Sequence, residues 1–152
     1  MSSRPSTCLL SAAEVSDLVD THFPQVHTGG KHLHIEDIGD RVARVRMQAD
    51  DSQMRPGGTV SGPSMFKLAD FSLWVVLLGN MGEAALQAVT TNLNINFLSR
   101  PKPGDMVAHA RIIKLGRRLA VGEIELYSAG SEDMVAHATG TYAIPPANFA
   151  VK

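Results

Sequence analysis

The chain has 152 residues, of which 44% are hydrophobic and 19% are charged, and its formal net charge at pH 7 is −1. This composition suits one folded domain and excludes a disordered or fibrous protein. Because the chain lacks an excess of Lys and Arg, we expect neither nucleic acid nor an anionic membrane as a partner.

Cys8 is the only cysteine, so the chain cannot form an internal disulfide, which suits a reducing compartment. It lies apart from every candidate catalytic residue, and we expect a passive thiol. No apolar run approaches the roughly 20 residues that span a bilayer. The first residues also lack an apolar core long enough for a signal peptide, so we expect a cytoplasmic protein.

A capping box at Ser11 and Glu14 predicts the start of an amphipathic helix over about 11–23. Pro24 ends it. The helix presents one apolar face, made of Val15, Leu18, Val19 and Phe23. We expect it to pack on the outside of the domain.

Alternating apolar and polar residues from Leu33 to Met47 predict a β-hairpin that turns at Gly39 and Asp40. Residues 49–62 then form a polar segment that contains Gly and Pro. This segment is longer than a simple connection needs, which favours a functional loop.

Residues 63–79 are apolar on nearly every side, which predicts a buried helix. Pro63 suits its first turn and Gly79 its end. Four strands follow, over about 86–98, 106–115, 118–128 and 134–144. A sheet of long antiparallel strands must curl to cover such a helix, so the sequence predicts a single α+β domain over residues 1–152.

Three segments of the chain resemble the hotdog-fold thioesterases of the phenylacetate-degradation type. The first is residues 62–70, which end in Leu-Ala-Asp, and the second is residues 88–101. The third consists of three short motifs: Pro103-Gly-Asp, Leu115-Gly-Arg-Arg-Leu-Ala and Ala138-Thr-Gly-Thr-Tyr-Ala-Ile-Pro. Their order and spacing together make the resemblance specific, and it covers about residues 30 to 145.

The resemblance implies a hotdog fold, in which a curved antiparallel sheet wraps around a long central helix. It also implies acyl-CoA substrates, no metal or organic cofactor, and homodimers or homotetramers whose sheets join edge to edge. The expected activity is thioester hydrolysis to a free acid and coenzyme A.

Asp70 is the only acidic residue in the apolar helix. A carboxylate there is costly unless it has a partner or a function. The residues alone leave open whether Asp70 is functional or simply lies at the exposed helix edge. The resemblance implies that it is the catalytic carboxylate, acting as general base or as nucleophile.

The resemblance also implies that a backbone N–H at the start of this helix stabilises the oxyanion. Pro63 has no N–H, so Gly62 takes this role, unless it only makes the turn into the helix. Gly62 and Asp70 are eight residues apart, about 12 Å along a helix. One thioester carbon cannot lie about 3 Å from both, so if both act, they come from different subunits.

Three further residues are candidates for the catalytic site. Thr90 matches the family's Ser or Thr that helps to hold the attacking water, although it is also an ordinary strand residue. Ser61 stands where the family often has His, and it can instead cap the helix. Arg55 stands where relatives commonly carry Asn or Gln, and it can donate to a carbonyl or a phosphate.

Basic residues cluster near strand ends, either as a solvated rim or as a site for the coenzyme A phosphates. They are Arg100, Lys102, Lys114, Arg117 and Arg118. His32 and His34 share a strand face without a third ligand in view, so we expect no metal. His109 and His137 fall inside strands, where we expect structural roles.

Two alternatives to hydrolysis remain open. A hotdog dehydratase or hydratase requires a His paired with the carboxylate, and Ser61 occupies the natural position. A non-catalytic acyl-CoA-binding protein is the other alternative. Such a sensor normally carries an attached DNA-binding segment, whereas the residues before the first strand predict one helix.

Overall fold

The computed structural model describes residues 9–50 and 53–146, so Cys8 and its expected passive role lie outside the described residues. Two α-helices are present there, α1 (Ala12–His22) and α2 (Gly62–Met81). The strands are β1 (Leu33–Gly39), β2 (Val42–Met47), β3 (Met54–Arg55), β4 (Thr59–Val60), β5 (Val89–Phe97), β6 (Met106–Leu115), β7 (Leu119–Ser128) and β8 (Met134–Ala143).

Six of these strands form one antiparallel sheet in the order β1-β2-β6-β7-β8-β5. Buried and more exposed residues alternate along β7 and through most of β8, because one face of the sheet packs on the helix and the other does not. The long helix α2 contacts all six strands. The predicted α+β hotdog architecture is therefore confirmed.

Two glycines allow α2 to lie close to the middle of the sheet. Gly122 on β7 and Gly140 on β8 are cross-strand partners. The side chain of Leu73 on α2 covers both, and its Cδ2 is 3.0 Å from where a Cβ on Gly140 would lie. A side chain at either glycine would push the helix away from the sheet.

Ser61 starts α2, because its hydroxyl accepts a hydrogen bond from the backbone N–H of Ser64 at 3.3 Å. From Phe71 to Asn80 every residue of the helix is buried. The prediction of burial on nearly all sides is wrong for the first turns, where Phe66 is 41% exposed. Pro63 and Lys67 are exposed beside it, and Asp70 is half-buried. These four residues form an open stripe along the helix.

The helix α1 begins with the capping box, in which the Ser11 hydroxyl and the Glu14 carboxylate each bind the other's backbone N–H. Its buried residues are Val15 and Val19, and it packs against β1 and α2.

In the described ranges 9–50 and 53–146, no helix combines the length and apolar character needed to cross a membrane.

The polar segment before α2 is more ordered than an irregular loop. The short strands β3 and β4 pair in it as a hairpin. The turn uses Gly57 at φ +104° and Gly58 at φ +79°, a left-handed conformation that glycine adopts without strain. The backbone N–H of Ser61 donates to the Gln53 carbonyl at 2.7 Å, which joins the hairpin to the start of α2.

Candidate active site

Asp70 on α2 meets two hydroxyl groups from the sheet. The Thr90 hydroxyl donates to Oδ1 of Asp70 at 2.7 Å. The Tyr142 hydroxyl lies 2.8 Å from the same oxygen and 3.0 Å from the Asp70 backbone carbonyl. The structure thus brings together two residues expected from the sequence and a third, Tyr142, that the sequence analysis missed.

The strand register explains why the two hydroxyls converge. Thr90 on β5 and Tyr142 on β8 are directly paired, so their side chains lie on the same face of the sheet. The register shifts just after Thr90, and the next pair joins Asn92 to Thr141. Such a bulge redirects the side chains beside it.

Tyr142 is part of the hydrophobic core and is 4% exposed. Its burial, and then the charge of Asp70, raise the pKa of the phenol well above its usual range. The hydroxyl therefore keeps its proton and acts as a donor. A buried Tyr normally finds a hydrogen-bond partner, and this one finds the carboxylate.

The second carboxylate oxygen of Asp70, Oδ2, has a different environment. No described residue donates a hydrogen bond to it. Among the described residues, Oδ2 is not one of the buried side-chain atoms that lack a hydrogen-bond partner. It is therefore not fully enclosed by the protein. Since Asp70 is half-buried, Oδ2 is the oxygen that remains available to a reactant.

A cavity of about 720 Å³ opens beside Asp70, Thr90 and Tyr142. One wall is aromatic: Trp74 makes edge contacts with Phe23 and Phe71, with ring centroids 5.8 Å and 6.5 Å apart. The other apolar residues that line it are Val26, Leu86, Ala88 and Val89. An apolar group can therefore lie next to the carboxylate.

Gly62 lies at a second cavity of about 450 Å³, which Arg55, Phe97 and Arg100 also line. Among the described residues the Gly62 N–H has no acceptor, and the next residue, Pro63, has no N–H. Neither Arg55 nor Arg100 pairs with a described carboxylate. This end of α2 therefore offers hydrogen-bond donors and positive charge.

The two groups of candidate residues lie apart on one chain. Gly62 and Asp70 both belong to α2, so about 12 Å of helix separates them. Ser61 caps the helix and also donates to the Ser64 hydroxyl at 3.0 Å. Its observed contacts are those of a cap.

The basic residues expected near strand ends lie in two groups on a single chain. Lys102 lies four residues before β6, where its backbone N–H donates to the Ser128 hydroxyl at 2.8 Å. Arg118 lies beyond the other end, where its carbonyl accepts from Ile144. Since β6 has 10 residues, about 30 Å of strand separates the groups. Arg100 belongs to the first group, and Lys114 and Arg117 belong to the second.

The histidines make local contacts. His32 lies 3.2 Å from Asp50, and His137 lies 3.2 Å from Glu123. His109 packs edge-on against Tyr127. In the part of the chain that the structure describes, no three His, Cys, Asp or Glu side chains form a group that could hold a metal ion.

Comparisons with known proteins identify the family. The model of the thioesterase superfamily matches residues 57–135. A crystal structure from Silicibacter, of a protein provisionally named a thioesterase, is 39% identical, with a TM-score of 0.81 over 91% of this chain and 94% of that one. A provisionally named esterase of Pseudomonas aeruginosa is 31% identical over 102 residues, which are 66% of this chain and 74% of the relative.

A protein of the phenylacetic acid degradation operon of E. coli shares the fold, with a TM-score of 0.72 over 88% of this chain and 95% of that one at 18% identity. The resemblance to hotdog-fold thioesterases is confirmed. These relatives support thioester hydrolysis in general. The chain belongs to the thioesterase superfamily.

Proposed function

We propose that the protein hydrolyses acyl-CoA thioesters, with Asp70 as the catalytic carboxylate and the Gly62 N–H of a second copy as the oxyanion donor. The main support is the state of Asp70. Two hydroxyls hold one of its oxygens, no described residue donates to the other, and the cavity beside it has an aromatic wall. We expect no metal or organic cofactor, since the proposed steps use only these groups and water.

The chemistry can follow either of two routes. In the first, a water molecule attacks the thioester carbon while Oδ2 takes a proton from it. In the second, Oδ2 attacks that carbon itself and forms a mixed anhydride, which water then hydrolyses. In both, a backbone N–H stabilises the oxyanion and the C–S bond breaks. The thiolate of coenzyme A leaves and takes a proton, from protonated Asp70 in the first route and from water in the second.

The unpaired edge of the sheet supports a site shared between two copies. The strand β5 is the last strand on its side, and most of its residues are exposed. In the proposed dimer, two β5 strands pair antiparallel in the register that sets Thr90 of one copy opposite or beside Phe97 of the other. Thr90 contacts Asp70, and the Phe97 ring lies 3.4 Å from where a Gly62 Cβ would be. This pairing would therefore unite Asp70 with the partner's Gly62.

The exposed apolar side chains also support a partner at this edge. Phe66 on α2 is 41% exposed, Phe97 is 51% exposed and Leu98 is 57% exposed. A long exposed edge strand with apolar neighbours tends to be covered in the native assembly. We therefore propose a homodimer at least, with the active site at its interface.

The same pairing would bring the two basic groups together. Arg100 and Lys102 follow the end of β5, whereas Arg118 lies beside the residue that follows β8, near the start of β5. An antiparallel dimer would set Arg100 and Lys102 of one copy near Arg117 and Arg118 of the other. We propose that these residues bind the phosphates of coenzyme A, since Arg matches phosphate oxygens well. Arg55 lines the cavity at Gly62 and could assist there.

A free-thiol assay over a panel of acyl-CoA substrates tests this function. We expect release of coenzyme A by the wild-type protein and by Asp17→Asn, a matched change at an exposed residue of α1. Asp70→Asn should release almost none. Binding of acyl-CoA without thiol release would instead favour the non-catalytic alternative, and hydration of an enoyl-CoA without thiol release would favour the hydratase.

Labelled water separates the two chemical routes. In a single turnover in H₂¹⁸O, general-base catalysis puts the label into the released acid. Attack by Asp70 puts the label in the carboxylate of Asp70 if water cleaves the anhydride at that residue, and it leaves a transiently acylated Asp70 peptide if water cleaves at the acyl carbonyl instead. Mass spectrometry of the peptide that contains Asp70 reads the result.

A further inference from the structure

Two hydroxyl donors share one carboxylate oxygen in this site. Thr90 and Tyr142 both hydrogen-bond Oδ1 of Asp70, and no described residue binds Oδ2. We propose that Tyr142 is a positioning residue that anchors Oδ1, so that Oδ2 is the oxygen that reacts with water or with the thioester. This proposal rests on the proposed function, in which Asp70 is the catalytic group.

The two donors differ in how well water can replace them. Thr90 lines the cavity beside Asp70, where the reacting water would also lie, so a water molecule there can replace its hydroxyl and donate to Oδ1 instead. Tyr142 is 4% exposed and part of the core, and removing its hydroxyl in a Phe variant frees less space than a water molecule needs. Tyr142 is therefore the donor whose loss the site cannot compensate.

Tyr142 is also held rigidly. Its ring is part of the core, and its strand, β8, is paired on both sides, with β7 and β5. Burial and the charge of Asp70 raise the pKa of the phenol, so it is a protonated donor at neutral pH. A rigid donor holds the carboxylate in one position and orientation, and catalysis requires such precise placement of the reacting oxygen.

The kinetic test compares three substitutions, each of which removes a hydroxyl group. Tyr142→Phe should lower kcat about 10- to 100-fold and leave KM within about twofold, because the carboxylate is present but misplaced. Thr90→Val should lower kcat by less than about tenfold. Tyr127→Phe is the matched control, since its hydroxyl donates to Glu125 at 3.1 Å on the other face of the sheet; it should change neither constant.

The proposal is overturned if folded Tyr142→Phe retains kcat within twofold of wild type, or if Thr90→Val loses more than Tyr142→Phe. A melting temperature close to that of wild type checks that Tyr142→Phe is folded. If Tyr142→Phe does not fold, the second test decides.

The second test does not depend on activity. The chain has two tyrosines, so protein labelled with 3-fluorotyrosine gives two ¹⁹F resonances, which Tyr127→Phe assigns. Asp70→Asn should shift the Tyr142 resonance and leave that of Tyr127 in place, whereas Asp17→Asn should shift neither. An unmoved Tyr142 resonance contradicts the hydrogen bond and the positioning role. Absence of thiol release by the wild type would instead contradict the proposed function.

Discussion

Thr90 and Tyr142 face each other across β5 and β8, and both of their hydroxyl groups reach one oxygen of a carboxylate on α2. The helix supplies the acid, and the sheet fixes its orientation. The geometry of the site therefore depends on the packing of α2 against the sheet. Substitutions that shift this packing should affect turnover as well as stability.

The first prediction concerns Asp70 itself. Asp70→Asn keeps the size of the side chain and can still accept hydrogen bonds from Thr90 and Tyr142, so we expect fold and substrate binding to survive. Turnover should fall about 10²–10⁴-fold, the usual scale for a positioned acid or base. Steady-state kinetics and circular dichroism measure the two effects. A folded variant with near wild-type kcat would remove Asp70 from the mechanism.

The second prediction concerns Trp74, the only tryptophan. It is 9% exposed, and its indole N–H donates to the Ala85 carbonyl at 3.0 Å. Its fluorescence should therefore be shielded from a soluble quencher such as iodide. Trp74→Ala should lower the free energy of unfolding by about 3–5 kcal/mol, measured by urea titration at fixed protein concentration. Free quenching in the wild type would contradict the burial of α2.

The third prediction concerns the paired glycines beneath the helix. A Cβ at Gly122 would lie 2.7 Å from the backbone carbonyl oxygen of Arg111 and against the side chain of Leu73. Gly122→Ala should therefore destabilise the protein by about 1–3 kcal/mol. Gly62→Ala is the control, because its Cβ would make only an ordinary contact of 3.4 Å with Phe97. Equal melting temperatures for the two variants would contradict the close approach of α2.

Features that depend on local periodicity could be predicted from the sequence. The strand expected at 106–115 is Met106–Leu115, and the helix expected at 63–79 is Gly62–Met81. Apolar spacing and turn residues act over a few positions, so a single sequence records them. The α+β class follows, because long strands must cover a helix that is apolar nearly all round.

Features that depend on register or on a partner could not be predicted in this way. Tyr142 reaches Asp70 only because β8 pairs with β5 in one register, which links residues 72 positions apart. Phe66 belongs to the apolar run, yet the sequence does not mark which side of the helix the sheet leaves open. Two observations together could have identified Tyr142: buried and exposed residues alternate along β8, which places Tyr142 on the inner face, and Tyr142 pairs with Thr90 on β5.

The fourth prediction concerns pH and the outer face of the sheet. The hydrogen bond from Arg46, at 2.9 Å, holds the pKa of Glu36 below its ordinary value, and Arg44 assists. A lowered folded-state pKa stabilises the protein above the unfolded pKa, and the effect is lost as pH falls through the folded value. Glu36→Gln should therefore lower the melting temperature at pH 7 and have little effect in acid.

The size of this effect should be small, since exposed ion pairs contribute at most about 1 kcal/mol. High salt should reduce the deficit at pH 7 by screening the charges. Scanning calorimetry at several pH values measures it. A deficit of equal size at pH 7 and in acid would mean that Glu36 acts through packing and not through its charge.

The last prediction concerns the shared site. Gly62 and Asp70 are too far apart on α2 to act on one carbonyl, so each site should draw on two chains. Asp70→Asn and Gly62→Val should each be inactive alone. When the two proteins are unfolded, mixed and refolded together, half of the dimers are mixed, and one of the two sites in each mixed dimer is intact. About a quarter of wild-type activity should return.

Several checks make this result decisive. Light scattering must show that Gly62→Val folds and dimerises by itself, and differently tagged chains must show that mixed dimers form. Refolding two batches of Asp70→Asn together is the control, and it should return no activity, because every site then lacks the carboxylate. If mixed dimers form and activity stays absent, then either both residues serve one subunit's site or Gly62 is not the oxyanion donor. A site built from two copies requires the recovery, because only the mixed dimer joins an intact Asp70 to an intact Gly62 across the β5 edge.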